Sequence, residues 1–182
     1  MSNSIKRTGK ITLCGMMAAL AATFMLTSLF PYLTYAIPAV AGLFIMIAVI
    51  EINNKWGLAA YIVSAILVLI LPADNEAKLL YIAFFGYYPI IKALLESKCN
   101  RVVEFILKFA ILNIALVLSY GVLSTVLGID VGDMGEFGKY TGVILLVAAN
   151  VIFPIYDLAV SRMAQFYLMR LHSSVSRIFN KK

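Results

Sequence analysis

Six charged side chains fall inside or beside long apolar stretches: Lys92, Glu96, Glu104, Lys108, Asp157 and Arg162. Charge within a bilayer is expensive, so such groups are usually paired or functional. Lys92 and Glu96 are spaced i,i+4, as are Glu104 and Lys108, which lets each pair meet on one helix face. Two readings stay open. The charges snorkel and pair locally, or they form a charged surface for a partner. Chemistry beyond that is scarce. The chain has one histidine, His172. An intramembrane metalloprotease needs a His pair with a carboxylate, and a Ser/His/Asp set needs a histidine within the membrane. No glycine-rich phosphate loop is present, so the chain has no ATPase site of its own. The expectation is a protein that is not an enzyme, with no resident cofactor and no metal.

Aromatic residues and amides make a second constellation. Tyr32 and Tyr35 lie in the first loop, while Tyr81, Phe84, Phe85, Tyr87 and Tyr88 crowd one segment. Tyr120 and Tyr140 follow near later ends, and Asn113 and Asn150 sit within apolar runs. An unpaired amide is costly in lipid, so each should face the interior and bond to something. Aromatic faces with a few convergent polar groups suit a small heterocyclic ligand. An interfacial aromatic belt accounts for Tyr32, Tyr35 and Tyr140, but less well for the mid-run residues Phe84, Phe85, Tyr87 and Tyr88. The candidate binding set is Tyr32, Tyr35, Tyr81, Phe84, Phe85, Tyr88, Asn113, Tyr120 and Asn150. Between residues 128 and 139, four glycines and three acids make a pliable acidic loop, a lid or simply a solvated connection. Its acids lack calcium-loop spacing.

These residues need helices to hold them. Of the 182 residues, 63% are hydrophobic and 13% charged, too little polar surface to coat a globule of this size. Apolar runs occupy 11–30, 36–52, 56–72, 79–97, 102–128 and 140–160. A span takes about 20 residues, so the second and third runs are borderline: two short spans or a re-entrant hairpin. The composition predicts one all-α integral membrane domain over 1–182, a six-helix bundle. Lys6, Arg7, Lys10, Lys55, Lys98, Arg101, Arg162, Arg170, Arg177, Lys181 and Lys182 all fall at one side, which the positive-inside rule makes the cytosol. Asp74, Glu76, Asp130, Asp133 and Glu136 fall at the other, where only Lys78 and Lys139 break the pattern. Both termini are then cytosolic. The net charge of +6 is a topology signal, not a nucleic-acid surface.

The first run exceeds a signal-peptide core and is followed at once by further spans, so it reads as the first helix. Cys14 and Cys99 are too few for a disulfide framework. Over 161–182, Ala164, Tyr167, Leu168, Leu171, Val175 and Ile178 recur at helical spacing among Arg162, Gln165, Arg170, His172 and Arg177. An amphipathic extension along the anionic inner leaflet is expected.

In the first helix Gly15, Ala18, Ala19 and Ala22 fall within about 100° of one face, and small residues four apart let a second helix approach closely. The size, the six runs, the placement of the termini, the Ala18-x-x-x-Ala22 motif and the run Ile37-Pro38-Ala39 together resemble the substrate-binding S component of energy-coupling factor (ECF) vitamin transporters. The likeness covers the whole chain in architecture but carries few motifs. It implies a bacterial cell membrane protein that binds a vitamin-like small molecule in its outer half. It implies docking through Gly15, Ala18, Ala19 and Ala22 on a transmembrane coupling subunit driven by two cytosolic ATPases. It also implies a pocket drawn from the first outer loop and helices four to six. Nickel and cobalt versions do not fit one histidine; riboflavin, other vitamins and nucleobase-like precursors all remain open. A scaffold similar to the small multi-span rod-shape proteins of cell-envelope assembly is the alternative. An autonomous secondary transporter would want an ion relay at the membrane midplane, which the clustered charges disfavour.

Overall fold

The computed structural model describes residues 7–30, 33–126, 140–172 and 175. Tyr32, the loop 128–139, Lys6 and the basic residues Arg177, Lys181 and Lys182 lie outside the described residues, as does the side chain of Tyr120.

Every regular element among the described residues is helical. Six helices follow in order: α1 (Arg7–Met25, continued by a 3-10 turn, Leu26–Leu29), α2 (Ala36–Glu51), α3 (Asn54–Ile70), α4 (Asn75–Lys98), α5 (Arg101–Val126) and α6 (Thr141–Arg170). Four of them, α1, α4, α5 and α6, are long and apolar enough to cross a membrane. The 16 residues of α2 and 17 of α3 reach about 24–26 Å at 1.5 Å per residue, short of a hydrocarbon core of about 30 Å.

Polar caps set several boundaries. The Asp74 carboxylate accepts from the Ala77 N–H at 2.9 Å and starts α4 at Asn75, four residues before the apolar run begins. Asn53 caps α3 by accepting from the Trp56 N–H at 3.1 Å. At the far end α6 does not stop with its apolar run. It continues unbroken to Arg170, and the bonds from Leu171 N to Tyr167 O and from Val175 N to Leu171 O carry the helical turn onward.

The chain divides into two compact units. The first comprises 1–94 and 160–182. Within it α1 packs on α2 and α3, and α2 packs on α3 and on the middle of α4. The contact rows repeat at helical spacing: Leu13, Met17, Ala21 and Met25 on α1, Ile37, Ala41, Ile45 and Ala48 on α2, and Ala60, Ser64 and Val68 on α3. Alanine is the commonest residue in these rows, as suits helices in lipid, where close van der Waals approach is the main attraction between them. Gly57 shows how close that approach is, since a Cβ there would collide with the Val49 side chain. The second unit, 95–159, pairs α5 with the first part of α6. Phe109 meets Phe153 edge-on at 5.1 Å between centroids, one step from the polar contacts described below.

Candidate functional site

Midway along α4 the helix widens into a π turn over Tyr81–Phe85. The sequence supplies a reason. Pro89 has no N–H, so the Phe85 carbonyl loses its helical donor and the ring crowds it. The Gly86 N–H reaches back to Tyr81 O at 2.8 Å, which leaves Ile82 O free of its usual partner. That oxygen accepts the Tyr61 hydroxyl of α3 at 2.6 Å. Ser64 donates to Tyr61 O at 2.8 Å, so its single proton is used, and Tyr81 must donate to Ser64 Oγ at 2.7 Å. Around this chain of hydroxyls the rings of Tyr61, Tyr81, Phe84, Phe85, Tyr87 and Tyr88 pack, with Phe84 and Tyr88 closest at 4.9 Å. π turns inside α-helices occur often at functional sites.

Gly86 is required here by close approach. A Cβ at this position would lie 2.7 Å from the Tyr61 ring and 2.9 Å from Tyr81 O. Gly86→Ala is expected to displace Tyr61, break its bond to Ile82 O and destabilise the fold by about 1–3 kcal/mol. Thermal unfolding of the purified variant, compared with Tyr61→Phe, checks this.

The second unit holds a buried cation. Lys108 is 2% exposed. Its ammonium meets Glu104 at 2.6 Å, Asp157 at 3.1 and 3.2 Å, and Glu96 at 3.2 Å. An ammonium has three N–H donors, and three carboxylates take them. The i,i+4 pairing of Glu104 with Lys108 forms, but Lys108 does not snorkel. Drawn inward by acids from two other segments, it ties α5 to α6 and to the end of α4. In the first unit Lys92 is buried as well, whereas Arg162 is exposed.

Asn113 and Asn150 find each other. Each Nδ2 donates to the other's Oδ1 at 2.9 Å, and each gives its remaining proton to its own helix, to Phe109 O and Leu146 O, both at 2.8 Å. All four amide protons are used. In this conformation the amides staple α5 to α6, with no donor left over to orient a ligand.

The expected binding residues thus fall into separate groups. Tyr81, Phe84 and Tyr88 are buried in the first unit, Phe85 beside them is half-buried, and Asn113 and Asn150 lie in the second. Tyr35 is exposed and donates to Glu76 at 2.7 Å, tying the loop before α2 to the first turn of α4. The docking set also divides. Ala18 and Ala22 are buried against α2 and α3, because the packed face of α1 includes them, while Gly15 and Ala19 face outward. Thr23 extends that outward column, with Met16 and Leu20 beside it.

No family model, curated protein or solved structure matches the chain. The site is therefore read from its own geometry.

Type and spacing do not single out Tyr61, Ser64 or Thr23. Tyr61 and Ser64 are polar groups in an otherwise apolar run, and that is the signal that marks them. Glu51, at the turn between α2 and α3, is not marked by type or spacing either, yet its side chain is 1% exposed and bonded to Tyr167 and His172. Tyr167, expected on a lipid-facing stripe, is turned into the bundle at 4% exposure.

Proposed function

We propose that this chain is the substrate-binding membrane subunit of an ATP-driven importer of the ECF type, taking up a vitamin or related heterocyclic precursor. In this reading it lies in a bacterial plasma membrane, crosses it six times and keeps both termini in the cytosol, as the sorting of lysine and arginine between the loops favours. The observation that carries the proposal is the π turn of α4. With α3 against it, it gathers six aromatic rings and two buried hydroxyls, a surface chemically suited to a flat heterocycle. Phe85 and Tyr87, both half-buried, are the rings such a ligand would stack on. The outward column Gly15, Ala19 and Thr23 is the face on which a coupling subunit would pack, with the ATPases acting through that subunit.

Mass spectrometry of small molecules co-purifying with the full chain tests the reading, together with thermal shift against a panel of vitamins. A heterocycle should co-purify and raise the midpoint, and Phe85→Ala should weaken its binding at least about tenfold. Ala19→Leu should leave ligand binding intact while removing the coupling subunit. No ligand and no shift with any member would count against the proposal.

A specific observation favours a second reading. The Asn113–Asn150 pair leaves its amides fully occupied, as a packing element of a membrane scaffold would require. A scaffold would retain its stability and partners in Phe85→Ala, whereas the importer would lose ligand.

A further inference from the structure

Glu51 ends α2 at the turn into α3. Its side chain is 1% exposed, and a carboxylate so enclosed requires hydrogen-bond partners. Both described partners come from the far end of the chain. Tyr167 Oη donates to Oε1 at 2.7 Å, and His172 Nδ1 lies 2.8 Å from the same atom. Tyr167 is itself 4% exposed, and Val175 packs against the core of the same unit. The rest of the segment's surface is mixed, with Met163, Phe166 and Met169 at 45%, 51% and 76% exposure among the exposed Arg162, Gln165 and Arg170.

From this juxtaposition we infer that segment 160–172 is a conformational latch, clamped on the α2–α3 turn by Glu51. The clamp couples two distant pieces of chain. Lifting the segment takes both donors from one buried carboxylate. Glu51 must then reach water, which requires the turn Ile52–Asn53 to open. The docked and released states are therefore discrete alternatives, since a half-withdrawn segment leaves a buried charge unpartnered.

Limited trypsin cleavage of the full chain in lipid nanodiscs reads the latch directly. Cleavage after Arg170 requires the segment to open and, when reclosing is fast, tracks the open population. The connection at Lys98 and Arg101 is the internal control. Tyr167→Phe keeps the ring and removes only the donor, so cleavage after Arg170 should rise about tenfold, the worth of one hydrogen bond to a charged group. Glu51→Gln should act in the same direction. The double variant should fall short of the product of the two single effects, because both remove one interaction. Rates within about twofold of the parent for Tyr167→Phe would overturn the latch. So would a rise of equal size at the control site, which reports general loosening, or single effects that simply multiply. Should Glu51→Gln not fold, Tyr167→Phe decides the matter alone.

Discussion

Lys108→Met should destabilise the folded chain by about 3–5 kcal/mol, the usual cost of removing one partner from a buried ion cluster. Methionine fills similar space, so lost packing contributes little. The cost comes from Glu104 and Asp157, whose side chains are 19% and 24% exposed and which would face each other without a cation. Glu96 is 45% exposed, so Glu96→Gln should change stability by less than about 1 kcal/mol. Adding Glu104→Gln and Asp157→Asn to Lys108→Met should recover much of the loss, because the uncompensated charge goes with them. Thermal unfolding of the four proteins in one detergent, followed by circular dichroism, measures the series. A Lys108→Met protein as stable as the parent would show that the cluster is solvated and contributes nothing.

Asn113→Leu and Asn150→Leu give the second large effect, and the order of magnitude reverses between single and double variants. Either single change leaves the other amide with a donor and an acceptor in apolar surroundings, at about 1–3 kcal/mol. Changing both removes the polar groups together and should be close to neutral. The contrast identifies the role. A staple shows strong non-additivity and no effect on ligand, whereas a binding pair loses ligand in every variant.

Much of the helical layout was legible because long apolar runs have few alternatives. The ends were harder. Asp74 and the polar first turn of α4 carry no hydropathy signal; they belong to the helix because a side chain satisfies its first amides. For the charged residues, the local partner was readable and the distant one was not. Glu104 lies one turn from Lys108, but Asp157 is 49 residues away, and only the packing of α5 on α6 makes them neighbours. The amides illustrate the same limit. Burial required each to bond to something, yet nothing in the order of residues named the other as partner. On α1, small residues surround much of the helix, so an arc containing Gly15, Ala18, Ala19 and Ala22 gave no sign of where the buried boundary would fall. It falls through the middle of the arc.

The π turn also bears on how this chain tolerates length change. A π turn is, in effect, one residue inserted into an α-helix. Deleting one residue between Ile82 and Phe85 would return α4 to ordinary winding. A wide turn holds one more residue than an α turn while completing nearly the same rotation, so the helix beyond the deletion keeps its facing, and Ile90 and Lys92, both buried, keep their places. A deletion in the ordinary helix beyond the wide turn has no such slack and would swing one side by about 100° relative to the other. The stretch Tyr81–Phe85 is therefore where this helix can lose a residue at least cost.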